Sequence, residues 1–143
     1  MEKHFWFECS VGIDQRQDDG TTKSVTQKYL VDALSFTEAE ERIIEEMKPF
    51  TCGGIDVSAV KKVNITELFE NTADTADTWF RLKCVSIEVD KKTGEDKERP
   101  FVVMVQSSCC YNSIQDFNEK MKESMMDYRI VEVKETKILD VYK

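Results

Sequence analysis

Histidine occurs once in the 143 residues, at position 4, and proline only twice. Nucleophilic and general acid–base catalysis most often place a histidine beside the nucleophile, and a lone one near the end of the sequence is a poor base. A Gly-x-Ser-x-Gly elbow, a phosphate-cradling glycine loop and a dinucleotide fingerprint are also missing. Carboxylates are plentiful, but their spacing singles out no pair. No enzyme activity and no cofactor are therefore expected. Long apolar runs are absent as well, since the stretch Phe101 to Val105 is far too short to span a bilayer. The opening Met1-Glu2-Lys3-His4-Phe5-Trp6 has no charged region leading into an apolar core, so no export signal is read and a cytoplasmic location is expected. Dense Lys/Arg clusters are lacking too. With a net charge of −8, close approach to phosphate backbones or anionic lipid is opposed. We expect no direct nucleic-acid binding and no membrane association.

What is present fits one soluble globular domain: 41% hydrophobic and 34% charged residues over a length typical of a single domain. Five cysteines (Cys9, Cys52, Cys84, Cys109 and Cys110) are an odd number, and in a cytoplasm they are expected to be reduced. None shows the paired spacing of a zinc site. Cys9 and Cys84 fall in the apolar phase of two strands and read as small core residues. Cys52, beside Gly53-Gly54, reads as an exposed thiol.

The strongest internal signal is a duplication. Trp6-Phe7 recurs as Trp79-Phe80, a spacing of 73 residues. The spacing becomes 74 at the turn glycines Gly20 and Gly94, and stays so for Leu30-Val31 against Met104-Val105, Ile43 against Phe117, and Met47 against Met121. It returns to 73 for Val57 against Ile130, Ile65 against Ile138 and Phe69 against Tyr142. The first change coincides with a slip of apolar phase from Phe80, Leu82 and Cys84 to Val85, Ile87 and Val89. One extra residue near Cys84, a β-bulge, accounts for both.

Each copy reads as strand, strand, helix, strand. First strands are expected at about 4–13 and 79–89, second strands at about 23–34 and 97–107, and closing strands at about 55–66 and 129–141. Ser35-Phe36-Thr37-Glu38 has the spacing of a capping box. Phe36, Ala39, Ile43, Met47 and Phe50 then form an apolar helical stripe that Pro49 and Gly53-Gly54 end. The second helix keeps Ile114, Phe117, Met121 and Met125, with Cys109 and Asn112 in place of Ser35 and Glu38. The fold class is therefore α+β, a single domain of two repeats, 4–69 and 79–142, joined by a polar linker at 70–78. About six strands and two helices share one core with pseudo-twofold symmetry, because each half is near the size at which a core alone supplies little stability. One six-stranded sheet and two facing sheets both remain open.

Candidate contact residues follow from the same pattern. Trp6 and Trp79 occupy the polar phase of equivalent strands, either as buried structural rings, which we favour, or as paired anchors for a partner, where tryptophan is enriched. Glu41 and Glu45 belong to an acidic run, Glu38 to Glu46, that is a solvated helix face or a surface for a basic partner.

The duplicated Trp-Phe strands, the stretch Tyr29-Leu30-Val31-Asp32-Ala33-Leu34-Ser35-Phe36-Thr37-Glu38-Ala39-Glu40 and the closing Glu135-Thr136-Lys137-Ile138-Leu139-Asp140-Val141-Tyr142 together resemble an uncharacterised domain-of-unknown-function family of gut anaerobic bacteria and their phages. The resemblance implies a small cytoplasmic or phage-encoded protein and transfers no site residue. The expected function is that of a non-enzymatic binding or regulatory protein acting on a host protein or nucleotide signal. The alternative is an accessory factor of nucleic-acid metabolism that works through protein contacts. Protein partner and small-molecule ligand are both unidentified, and homo-oligomerisation is left open.

Overall fold

A computed structural model of the chain describes residues 5–143, so His4 lies outside them. Its elements are β1 (Phe5–Arg16), β2 (Thr22–Ala33), α1 (Phe36–Met47), a 3-10 turn (Lys48–Phe50), β3 (Ile55–Val63), β4 (Glu67–Phe69), β5 (Thr78–Val89), β6 (Asp96–Ser107), α2 (Cys110–Met121), β7 (Tyr128–Glu135) and β8 (Ile138–Tyr142). The fold is mixed α+β, with eight strands in two four-stranded sheets and two helices. Two strands more than expected arise because each closing strand is broken, at Asn64–Thr66 and at Thr136–Lys137.

The chain divides into two compact units, Met1–Asn64 with Lys137–Lys143, and Ile65–Thr136. These do not coincide with the sequence copies. The segment 70–78 lies inside the second unit, where Asn71 N donates to Gln106 Oε1 at 3.1 Å and Ala76 is buried.

In the first unit the strand order is β3-β1-β2-β8, with β8 parallel to β2 and the other neighbours antiparallel. Alternation in β1 puts Phe7, Cys9, Val11 and Ile13 on one face, where they pack with Tyr29, Val31 and Ala33 of β2 and with Ala39, Ile43 and Met47 of α1. The helix starts where Ser35 Oγ accepts from Glu38 N at 3.1 Å, satisfying one of the amides left free at a helix start. Phe36 and Phe50, expected on the buried stripe, are 53% and 59% exposed. Phe36, the first residue of the helix, still sets its ring edge-on against Phe7 of β1, with centroids 4.9 Å apart, and Phe50 lies in the 3-10 turn beyond the helix.

In the second unit the order is β4-β6-β5-β7, with β4 parallel to β6. Phe80, Leu82, Cys84, Val103, Val105 and Phe117 form its core. Each unit thus holds one cluster of buried apolar residues against its own helix. At the start of α2, Cys109 Sγ accepts from Asn112 N at 3.4 Å, so a thiol stands where Ser35 stands in α1. Met125 is not on the helix. It follows the helix with φ 55° and is 94% exposed.

A bulge does fall at Lys83/Cys84 in the β5–β7 ladder, but its extra residue, Val131, belongs to β7 and not to β5. Strand β5 pairs with β6 in unbroken register from Thr78↔Ser107 to Val89↔Asp96, and the buried phase continues from Cys84 to Ser86. The change of spacing falls in the hairpin loops, Gln17–Thr21 in one and the longer Asp90–Glu95 in the other. Loops take up an extra residue without disturbing a ladder. In both, a glycine adopts positive φ, +86° at Gly20 and +72° at Gly94, which a side chain would disfavour. The real bulges are on edge strands, between Val57 and Ala59 in β3 and between Ile130 and Glu132 in β7. Bulges there discourage edge-to-edge pairing.

Candidate interaction surfaces

The tryptophans project from the sheet faces away from the helices, since Phe7 and Phe80 beside them face the cores. Trp79 is 3% exposed, and its carbonyl accepts from Thr136 N at 3.0 Å and from Thr136 Oγ1 at 2.7 Å. A ring so enclosed offers nothing for a partner to touch. Trp6 is half-buried, across from Asp32 and Val63. The two rings therefore have different environments.

Glu41 and Glu45 are both exposed on α1, one turn apart. Like charges at that spacing repel by a few tenths of a kcal/mol. Lys48 pairs with Glu45, while Arg42 turns away, donating to the carbonyls of Asp32 and Lys143. The solvent face of α1 is consequently acidic, with Glu40, Glu41 and Glu45 exposed.

All five cysteines are free. Burial pushes the thiols of Cys9 and Cys84 up to about 11, with the Glu8 and Glu40 carboxylates adding to the effect at Cys9. Such thiols are inert at neutral pH. Cys52, Cys109 and Cys110 are exposed, and Cys52 Sγ donates to Asp14 O at 3.2 Å. Among the described residues no group of three His, Cys, Asp or Glu could hold a metal ion.

An open hollow of about 440 Å³ lies at the far end of the first sheet, lined by Gly12, Asp14, Ser24, Thr26 and Asp56 among others. Its Asp14 is engaged: the carboxylate accepts from Ser24 Oγ at 2.7 Å, and the amide donates to Thr51 Oγ1 at 3.2 Å. Gly53 passes close beside it, and a Cβ there would lie 2.6 Å from Asp14 Oδ2, so the carboxylate would have to shift. The hollow is lined by the ends of β1, β2 and β3 with Gly54 of the preceding loop.

The chain matches the model of a family described as a domain of unknown function (DUF4494) over residues 5–143. It belongs to that family. The match takes in both sheets and both helices, so DUF4494 membership rests on the whole fold. No curated protein matches the chain.

One surface escaped the sequence reading. In β5, Arg81 and Lys83 point away from the core and are exposed, and Arg81 lies directly across from Lys134 of β7. Sequence offers no periodic signal for it, because the cations come together only through strand register.

Proposed function

We propose that this DUF4494 protein is a small non-enzymatic binding or regulatory protein of bacterial or phage origin, working in the cytoplasm through contact with a host protein. The observation that carries this reading is the acidic outer face of α1. Glu40, Glu41 and Glu45 are exposed there, and Phe36 at the start of the helix and Phe50 in the 3-10 turn after it are exposed as well. Charged groups steer and orient an encounter, and exposed aromatics supply the area that holds it. A solvated helix gains nothing in stability from Glu41 and Glu45 at repelling spacing, whereas a basic partner would use both.

We read the two units as products of one duplicated strand–strand–helix–strand copy. Their elements recur at spacings of 73 and 74 residues, with Ser35 and Cys109 capping equivalent helices. The exchanged strands support the same reading, since Phe69 pairs with Val105 as Tyr142 pairs with Val31.

The test is affinity capture from the native host with mass spectrometry, comparing the natural chain with the double variant Glu41→Lys, Glu45→Lys. Recovery of one defined partner that the variant loses, at unchanged melting temperature, is the expected outcome. Failure of the natural chain to retain any partner would end this reading.

A further inference from the structure

The two sheets treat one equivalent place in opposite ways. In the first, Glu8 of β1 lies across from Lys61 of β3 and forms an ion pair with Lys28 of β2 at 3.4 Å. Its counterpart in β5 of the second sheet is Arg81, across from Lys134 of β7, and the position corresponding to Lys28 is the apolar Val102 of β6. The acid that neutralises the first site is thus replaced by a second cation, beside Lys134. Lys83, two residues on, extends the patch along the same face by about 7 Å. Arg81, Lys83 and Lys134 are exposed, and among the described residues no ion pair engages them.

Folding does not favour this arrangement. Like charges directly opposite on neighbouring strands are destabilising, and an acid at position 81 would relieve the repulsion, as Glu8 does in the other sheet. A chain with net charge −8 has acids to spare, and it sets Glu132 across from Lys83, yet across from Lys134 it sets Arg81. Locally unfavourable charge is what a surface matched to an oppositely charged partner is expected to show.

We propose that the face of β5 and β7 carrying Arg81, Lys83 and Lys134 is a docking surface for an acidic segment of a protein partner. The inference rests on the reading of the chain as a protein-binding module and names a second contact surface for it. An acidic polypeptide fits better than a nucleic acid for two reasons. The overall negative charge repels a long polyanion, and Glu132, across from Lys83, would meet the next phosphate of a backbone. A carboxylate-bearing segment with intervening neutral residues can step around that acid.

The experiment titrates the full chain against fluorescein-labelled decaglutamate and against labelled oligothymidylate by fluorescence anisotropy, at low and at physiological salt. It compares the natural chain with the double variant Arg81→Glu, Lys134→Glu. The charge-matched control is Lys91→Glu, Lys92→Glu, in the exposed β5–β6 loop. Decaglutamate should bind the natural chain and the control alike, weaken with salt, and lose about tenfold or more in the double variant. The single variant Arg81→Glu should melt no lower than the natural chain, because it places an acid opposite Lys134. Absence of peptide binding, equal loss in variant and control, or tighter binding of oligothymidylate would each overturn the proposal. So would a salt-sensitive self-association that the double variant abolishes, since the occupant would then be a second copy. If host capture yields a defined partner that the double variant retains, this surface fails while the binding-protein reading stands. No partner at all would remove that reading itself.

Discussion

The ring of Tyr142 in β8 lies against that of Tyr29 in β2, with centroids 5.7 Å apart and planes tilted by 34°. The contact draws a strand that follows β7 of the second unit into the sheet of the first, where Ile138 is buried to 7% exposure. On the other side, β4 follows β3 of the first unit and pairs with β6 of the second. Each unit therefore depends on a strand delivered from the other half of the chain.

Separate halves should consequently fail to fold. A fragment of residues 1–70 lacks β8, and a fragment of residues 76–143 lacks β4, so each leaves the edge of a sheet and part of a core uncovered. Amide NMR should show poor dispersion for either fragment alone and a native-like spectrum for the equimolar mixture, which restores all eight strands. In the intact chain, Ile138→Ala should cost about 2–4 kcal/mol in urea unfolding, as for a buried aliphatic residue. A well-dispersed fragment on its own would show that the exchanged strand is dispensable.

Helix caps give a sharper comparison. Ser35→Ala removes the acceptor for Glu38 N and should cost about 1 kcal/mol. Cys109→Ser replaces a thiol acceptor, now 3.4 Å from Asn112 N, with the preferred hydroxyl, and should stabilise by a few tenths of a kcal/mol. Urea midpoints moving in opposite directions would establish that both positions cap. A loss of stability on Cys109→Ser would mean that the thiol serves another purpose.

Much of this was legible in sequence for physical reasons. A twelve-residue strand such as β1 alternates long enough to declare its period, and Ala39, Ile43 and Met47 declare the helix. The three residues of β4 are too few to show any period, and no glycine or proline marks the breaks before β4 and β8. Exchange of those strands is a long-range pairing that local pattern does not encode. Ser113 shows another limit. It is fully buried in α2 at the place of Ala39, its hydroxyl satisfied by donating to Cys110 O at 2.6 Å, whereas polarity alone reads as exposure. The cations Arg81 and Lys134 are far apart in sequence and meet only through register.

Alkaline pH should destabilise the chain. The thiols of Cys9 and Cys84 are raised from 9.0 to about 11 by burial. Above pH 9 the unfolded state therefore releases protons that the folded state keeps, and stability falls as pH rises. The contribution is fully present below 9 and is lost progressively towards 11, with a slope on the order of 1.4 kcal/mol per pH unit for each thiol. Tyr142, raised from 10.0 to about 12 chiefly by burial, acts in the same direction at higher pH. Urea midpoints recorded from pH 8 to 11 should decline, and Cys84→Ala should flatten the early part of the decline. A matching experiment at neutral pH is thiol labelling without denaturant: Cys52, Cys109 and Cys110 should react quickly, and Cys9 and Cys84 only on unfolding.

The tryptophans should respond unequally, despite their equivalent places on β1 and β5. Trp79 is 3% exposed and lies beside the Thr136 side chain, which is anchored to its carbonyl. Truncation to Ala would leave a cavity that a strand-embedded site cannot collapse, so Trp79→Ala should cost about 3–5 kcal/mol. Trp6 is only partly buried, and less buried area means a smaller loss. Trp6 also leaves some surface that a partner could meet, which Trp79 does not. Thermal and urea unfolding of the two single variants, beside host capture, separates the roles. The expected pattern is a large fall in stability for Trp79→Ala and a modest one for Trp6→Ala. Equal large losses would make Trp6 a core residue like its counterpart. A near-native melting temperature for Trp6→Ala with loss of the captured partner would place the contact surface on the outer face of β1.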